Sequence, residues 1–290
     1  MRRLSIPYSV TPSQYTSVPL YLSDTYTELD WEPEAASFYN STNTAPSTKV
    51  KNSTLAEKFF SSALFAREGS ANAEGLTVIP DGSIIVVADG YQYRPDVWTS
   101  LDTKTSGRPG NVTKSIVIVD DAWWGNFNYR GFNISNTANT AISSLTTDEI
   151  REIFKIYVPT GELKPYTEID LNVKLLSYYN SSTGNAQYTT GNAGKQYAST
   201  KLFEKPELPS GTIIAITPGY KYRPEGWTSL SAKNTSRPKE VTATVTSVSS
   251  DWWSSYNYRG FNICKNPASD ISSFAQSDIT NRFKIFVPVK

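Results

Sequence analysis

The sequence predicts an all-β protein made of two tandem homologous modules, each a β-sandwich or a barrel-like fold, preceded by an extended N-terminal arm. Three observations support this prediction. The second half of the chain repeats the first, and short runs of β-branched residues alternate with turn residues. Aromatic residues make up 13% of the chain and charged residues only 19%, whereas a helical protein would carry more Ala, Leu, Glu and Lys.

The internal repeat is the strongest of these signals. From Pro80 to Pro159 the offset to the second copy is constant, and roughly 37 of about 80 paired positions are identical. The segments that carry the match are Gly90–Pro95, Trp98–Leu101, Trp123–Trp124, Asn128–Ile134 and Phe154–Pro159, which recur as Gly219–Pro224, Trp227–Leu230, Trp252–Trp253, Asn257–Ile263 and Phe283–Pro288.

Upstream of Pro80 the repeat continues more weakly. Ser37–Asn40 matches Ser177–Asn180, and Leu64–Phe65 matches Leu202–Phe203, while the first copy carries an insertion over Arg67–Leu76. Each module therefore has an ordinary single-domain size. The predicted segments are an N-terminal arm or anchor at 1–36, copy 1 at 37–159, a linker at 160–176 and copy 2 at 177–290.

Within each copy, the first predicted strand follows a glycine-containing turn. Ser83–Ala88 and Thr212–Thr217 are short β-branched runs of this kind. Val112–Val119 and Val241–Val248 predict a second strand. In copy 2 that strand is expected to bury Val241, Ala243 and Val245 on one face, because these residues alternate with threonines.

Further elements are predicted near the end of each copy and in the linker. Ile153–Val158 and Phe283–Val287 predict a closing strand, and Thr146–Ile150 predicts a short helix with a threonine cap and early acidic residues. Ile169–Val173 alternates between apolar and polar residues and predicts a further strand in the linker.

Residues 1–36 lie outside the duplication and are rich in Pro, Tyr and Thr. An extended arm that docks on a partner and a disordered leader are two interpretations that the sequence leaves open. Met1–Tyr8 contains two arginines but lacks the apolar segment of a secretion signal. The chain is therefore expected to be made in a cytoplasm and retained there until assembly or lysis.

Composition argues against several classes of function. The net charge of +1 and the lack of a Lys/Arg-rich run predict no nucleic-acid or acidic-membrane partner. Without histidine, neither a Ser-His-Asp triad nor a His-ligated metal can form, and the single Cys264 allows no intrachain disulfide. No cofactor and no metal are expected. The longest apolar stretch, Ile84–Ala88, is too short to cross a bilayer.

Residues retained in both copies are the candidate ligand contacts, because they serve something that both modules do. Their rings could face sugars while arginines donate to hydroxyls, or the same side chains could hold each small β-domain together. The candidates are Tyr93, Arg94, Trp98, Trp123, Trp124 and Arg130 in copy 1, and Tyr222, Arg223, Trp227, Trp252, Trp253 and Arg259 in copy 2.

No catalytic residue is predicted. The acidic pair Asp120-Asp121 is replaced by Ser249 and Ser250 in copy 2, so it cannot carry an activity shared by the copies. Asp96 and Glu225 correspond to each other, but neither has an evident second carboxylate of the kind that glycoside hydrolysis uses. The chain is therefore expected not to be an enzyme.

The repeated pattern resembles that of a known module. Gly-Tyr-x-Tyr-Arg-Pro-x-x-Trp-Thr-Ser-Leu, then Arg-Pro-x-x-Val-Thr, Trp-Trp and Asn-Tyr-Arg-Gly-Phe-Asn, is similar to a repeat in phage virion proteins and gut-bacterial surface proteins. The resemblance covers Pro80–Pro159 and Pro209–Pro288. It implies a virion fibre, spike or decoration protein, or a glycan-binding appendage, and it transfers no catalytic residues.

The expected function is that of a non-enzymatic bacteriophage virion protein, a head or tail fibre or an adaptor. Assembly in the host cytoplasm would account for adhesin-like modules without a secretion signal. Residues 1–36 are expected to bind other virion proteins, the modules to contact a host-surface glycan, and the chain to form a homo-oligomer such as a trimer. The alternative is a soluble tandem carbohydrate-binding protein with tryptophan platforms.

Overall fold

The fold is given by a computed structural model. It describes residues 15–22, 26–35, 37–38, 49–50, 57–71, 74–101, 103–104, 110–160, 164–180, 186–189, 195–230, 232–233 and 239–289. Strands dominate the described residues and helices are few and short, so the all-β prediction is confirmed.

Three strands lie outside the predicted copies: β1 (Tyr15–Leu22), β2 (Tyr26–Glu28) and β14 (Lys164–Ile169). The strands of copy 1 are β3 (Ser37–Phe38), β4 (Lys49–Val50), β5 (Phe60–Ser61), β6 (Phe65–Arg67), β7 (Thr77–Ile79), β8 (Ile84–Val87), β9 (Tyr91–Ser100), β10 (Thr103–Lys104), β11 (Ile116–Ile118), β12 (Tyr129–Asn136) and β13 (Phe154–Pro159). Its helices are α1 (Asp121–Trp124) and α2 (Thr147–Ile153).

Copy 2 repeats this order of elements. Its strands are β15 (Ser177–Asn180), β16 (Ala186–Thr189), β17 (Ala198–Ser199), β18 (Phe203–Glu204), β19 (Ile213–Ile216), β20 (Tyr220–Ser229), β21 (Ala232–Lys233), β22 (Val245–Ser247), β23 (Tyr258–Lys265) and β24 (Phe283–Pro288). Its helical segments are α3 (Gln276–Thr280) and two 3-10 turns, Lys205–Glu207 and Ser250–Trp252. The strand β7, which directly follows the insertion, is replaced in copy 2 by the first of these turns.

Each copy folds into two main sheets that share one core. In copy 1 the strand orders are β11-β8-β13-β2 and β10-β9-β12-β6-β7, with β5 also paired to β12. Alternate residues of these strands, such as Ile85, Tyr93, Phe132 and Phe154, point inward and are at most 1% exposed. In copy 2 the orders are β1-β14-β24-β19-β22 and β17-β23-β20-β21, with β18 paired to β23, and the core repeats the pattern.

The outer faces of two sheets pack against each other and join the copies. Residues at equivalent positions meet in a third buried cluster, and the pairs are Ile84 and Ile213, Val86 and Ala215, and Tyr157 and Phe286. Both copies thus use the same surface patch to contact each other, as the two subunits do in the isologous interface of a two-fold dimer. We call this cluster the inter-copy face.

The segment before copy 1 belongs to its sheet. Strand β2 pairs antiparallel with β13, and Trp31 is 6% exposed, with its ring edge-to-face against Phe154. The equivalent strand β14 pairs with β24. The predicted boundaries at 36/37 and 176/177 therefore separate strands that pair with each other. Most of the described residues of the predicted arm pack on the modules. Residues 1–14 lie outside the described residues.

Several local predictions are corrected by the structure. The strand predicted at Val241–Val248 covers only β22, where Ala243 before it is exposed and Thr244 is buried, so the expected alternation is out of phase. Val112–Val119 is likewise reduced to β11. The strand predicted at Ile169–Val173 is wrong, because β14 ends at Ile169, although Leu171 and Val173 are buried as their alternation indicated.

The helix and closing-strand predictions are confirmed. Thr146 caps α2, and β13 and β24 lie close to the predicted bounds. Cys264 is 1% exposed, and burial raises the pKa of its thiol to about 11. Among the described residues, none of the helices is both long and apolar enough to traverse a bilayer.

Candidate functional site

Arg130 is the centre of a cluster that both copies retain, which in copy 1 also contains Trp123 and Trp124 and is called the Trp/Arg cluster. Arg130 lies on β12, and its side chain contacts the last residues of α1. One guanidinium nitrogen donates to the carbonyl oxygens of Trp123 and Trp124, the latter at 2.8 Å. The guanidinium carbon is 4.3 Å from the Trp123 ring centroid and 5.3 Å from that of Phe127. Arg130 thereby fixes α1 to the sheet.

Copy 2 repeats this cluster around Arg259. Its guanidinium donates to the carbonyl oxygen of Trp252 and lies 4.2 Å from the Trp252 ring centroid. Tyr256 takes the place of Phe127, at 4.7 Å from the guanidinium carbon. In both copies the two tryptophan rings meet edge to face, at 4.9 and 5.1 Å between centroids.

Both arginines are buried, which disfavours their charged form. Arg130 is 4% and Arg259 3% exposed, and burial lowers the pKa of each to about 10. Each guanidinium is still protonated at neutral pH, because a pKa of 10 lies well above 7. Carbonyl oxygens and ring faces stabilise the charge, which makes each arginine a cross-link within the module.

Most of the predicted ligand contacts lie in the core instead of at the surface. A sugar platform needs an open ring face, and the rings of six candidates are at most 2% exposed: Tyr93, Trp98, Trp124, Tyr222, Trp227 and Trp253. Tyr93, for example, packs edge to face against Phe132 and Phe154. In this structure these six side chains, with Arg130 and Arg259, offer no face to a ligand.

Four of the twelve candidates keep partial exposure. They are Arg94, Arg223, Trp123 and Trp252. The two arginines approach buried carboxylates: Arg94 Nε is 3.8 Å from Asp96, and Arg223 Nε donates to Glu225 at 2.9 Å. The structure thus separates the twelve residues into the two Trp/Arg clusters, the core rings and these arginine–carboxylate pairs.

A buried polar network next to each arginine–carboxylate pair was missed by the sequence analysis. Asn133 donates to the carboxylate of Asp96, and the hydroxyl of Ser61 donates to Asn133 Oδ1 at 2.5 Å. All three residues are fully buried. The duplication could have indicated this network, because each of its residues has a counterpart in copy 2. However, Ser61 lies in the region where the copies match weakly, and its partners are distant in sequence.

The groove between the copies is a separate feature. It has a volume of about 430 Å³ and is lined by residues that include Asp89, Tyr220 and Lys265, but by none of the twelve predicted ligand contacts. Asp89 crosses the junction, accepting from the Tyr220 hydroxyl at 3.0 Å and from Arg282. Within the described residues no cluster of acidic and cysteine side chains could hold a metal ion.

Comparisons with known proteins give no relative for this chain. Neither the protein-family models, nor the curated proteins, nor the solved structures contain a match.

Proposed function

We propose that this chain is a non-enzymatic structural protein of a bacteriophage virion, a head or tail fibre or an adaptor, whose paired modules attach to a surface. The observation that carries the proposal is the use made of the duplicated residues. The aromatic rings and arginines that both copies share hold each module together, and equivalent apolar residues join the copies. Duplicated chemistry of this kind supports a rigid scaffold.

Some exposed positions differ between the copies, although others, such as Thr99 and Thr228, are identical. Exposed Glu57 corresponds to exposed Lys195, and the carbonyl oxygen of each accepts from an equivalent backbone N–H, that of Ile142 or Ile271. Exposed Asp148 corresponds to Ser277. These differences in surface charge favour contact surfaces that evolved separately in the two copies.

In this proposal the N-terminal region attaches the chain to the particle. The fold determines which N-terminal deletion can test this attachment without damaging the first module. Deleting residues 1–36 would remove β2 and the core residue Trp31, so the first module would lose part of its fold. Deleting residues 1–14 spares every described residue. We expect the shorter truncation to leave the modules folded and to abolish incorporation into particles.

The decisive experiment is mass spectrometry of purified particles from the phage that encodes the chain, with the full-length and 1–14-deleted proteins compared. Presence of the full-length chain at a fixed copy number supports the proposal. Absence of the full-length chain from the particles would contradict the virion assignment, and normal packaging of the truncated chain would contradict the anchor.

A carbohydrate-binding function is the second candidate, favoured by the partial exposure of Trp123 and Trp252 at equivalent positions. Substitution of Trp124, which is fully buried, would test folding more than binding. A glycan array should therefore compare the unmodified chain with Trp123→Ala and Trp252→Ala, with thermal melts of each. Saturable binding lost in a folded variant would favour this function.

A further inference from the structure

Each copy contains a buried serine, asparagine and carboxylate in one hydrogen-bonded row. In copy 1 the row runs from Ser61 on β5 through Asn133 on β12 to Asp96 on β9. Ser61 and Asn133 are direct cross-strand partners, so their side chains leave the sheet side by side. All three side chains are shielded from solvent.

Copy 2 contains the same row, with glutamate in place of aspartate. Ser199 lies opposite Asn262, and its hydroxyl oxygen is 2.5 Å from Asn262 Oδ1. Asn262 donates through Nδ2 to Glu225 at 3.0 Å. The Ser199 hydroxyl is also within hydrogen-bond distance of the carbonyl oxygen of Leu176, at 2.5 Å.

We propose that each row forms an intramolecular ester cross-link, Ser61 to Asn133 and Ser199 to Asn262. The serine hydroxyl oxygen is the nucleophile and the side-chain amide carbon is the electrophile. Because that carbon is bonded to Oδ1, which lies 2.5 Å from the hydroxyl oxygen, the hydroxyl oxygen is at most about 3.7 Å from it. Such fixed proximity replaces a slow encounter between two reactants.

The reaction balances without a co-reactant. The Oγ–Cγ bond forms, the Cγ–Nδ2 bond breaks, and ammonia leaves. The serine proton passes first to Asn Oδ1, to which the hydroxyl is hydrogen-bonded in each copy. The carboxyl group that contacts Nδ2, Asp96 in copy 1 and Glu225 in copy 2, then relays a proton to the departing nitrogen as Oδ1 gives its proton up. Each carboxyl group returns to its starting protonation state, so every site reacts once and no oxidant or reductant is consumed.

The surroundings favour both formation and survival of the ester. Burial of the row keeps water from competing with the serine and from hydrolysing the product. Arg94 and Arg223 act as positioning residues, since each approaches the carboxylate of its row. The cross-links would tie residues 72 and 63 positions apart, respectively, in a chain with a single cysteine and hence no intrachain disulfide.

Intact mass spectrometry of the denatured full-length chain tests the proposal directly. The expected mass is lower than the sequence mass by two molecules of ammonia, and proteolysis should release two linked peptide pairs, Ser61 with Asn133 and Ser199 with Asn262. Hydroxylamine should separate both pairs, because it cleaves esters. A folded chain with the full sequence mass and no linked peptides would overturn the proposal.

Variants separate the ester from other losses of ammonia, with the second copy as an internal control. Ser61→Ala should restore one ammonia mass, and Asp96→Asn should slow or stop the loss in copy 1 alone. The matched control is Ser62→Ala, which removes the neighbouring hydroxyl that accepts from the Phe132 N–H and should keep both links. If the Ser61→Ala variant still lost two molecules of ammonia, copy 1 would be losing its ammonia by cyclisation of an asparagine, and the proposal would fail.

Discussion

A guanidinium in a hydrophobic core needs partners that replace water. Arg130 has the carbonyl oxygens of Trp123 and Trp124 and the faces of neighbouring rings, whereas Arg259 has the Trp252 carbonyl oxygen and ring faces. Within the part of the chain that the structure describes, the Nε of each arginine is buried without a hydrogen-bond partner. Burial still disfavours the charge, as their lowered pKa values show. The planar guanidinium of arginine is favoured at these positions, because it can lie over a ring while one of its nitrogens donates to a carbonyl oxygen.

Arg130→Lys should lower the free energy of unfolding by about 2–3 kcal/mol, because it loses the stacking and leaves a buried carbonyl oxygen unpaired. Thermal and urea unfolding would measure this. The matched control is Arg151→Lys, whose side chain is 31% exposed among acidic residues and should cost at most about 1 kcal/mol. Equal effects of the two substitutions would refute a special role for the buried arginine.

At the scale of elements, the two copies differ in how the helix before the closing strand begins. Thr146 and Glu149 form a reciprocal capping box at the start of α2, with the Thr146 N–H donating to Glu149 at 2.8 Å. The carboxyl group of Glu149 also has a lowered pKa, because the backbone and hydroxyl of Thr146 donate to it. In copy 2 Ala275 takes the threonine position, and only the Asp278 half of the box is formed, at 2.7 Å.

This difference predicts opposite effects for reciprocal substitutions. Thr146→Ala should lower the free energy of unfolding by about 1 kcal/mol, because the Glu149 N–H loses its acceptor. Ala275→Thr should raise it by a similar amount, about 0.5–1 kcal/mol, by completing the second box. Denaturant midpoints of both variants at constant slope would measure the changes, and a stabilised Thr146→Ala variant would contradict the assignment.

Elements with strong local signals were predicted well, and those set by tertiary contacts were not. The capped helix and the closing strands carry their own patterns, so their positions followed from the sequence. The phase of β22 did not, because the contact that buries Thr244 comes from the other copy, where it hydrogen-bonds to Tyr157. The buried Ser61–Asn133–Asp96 row was likewise invisible, since three distant strands build it.

The segment before copy 1 shows a different limit. Tyr26-Thr27-Glu28 recurs as Tyr166-Thr167-Glu168, and the two segments make matching contacts in the structure. Tyr26 donates to the Gly82 carbonyl oxygen at 3.1 Å, and Tyr166 to that of Gly211 at 2.9 Å. The match continues to Asp30 and Asp170, with four identities in five residues. It is still too short to stand out without the pairing, which is why the arm was predicted to extend to residue 36.

For the whole molecule, the inter-copy face decides whether the chain behaves as one rigid body or as two linked modules. Because this face uses equivalent residues in both copies, it would by itself also allow copy 1 to pair with the copy 1 of another chain, or copy 2 with another copy 2. Asp89 distinguishes the two halves, because it binds Tyr220 and Arg282 while Pro218 stands at its equivalent position. This contact favours the pairing of copy 1 with copy 2.

Ile213→Asp tests the inter-copy face without touching the core of copy 2, because its neighbours Ile214 and Ile216 point to that core and Ile213 points away from it. A carboxylate placed there would be buried without a partner, so the face should open at a cost of about 3 kcal/mol or more. Small-angle scattering should show a larger radius of gyration, and melting should divide into two transitions. Leu230→Asp, at a side chain that is 60% exposed, is the control and should change neither. An unchanged radius and a single transition for Ile213→Asp would mean that the copies are held together by something other than this face.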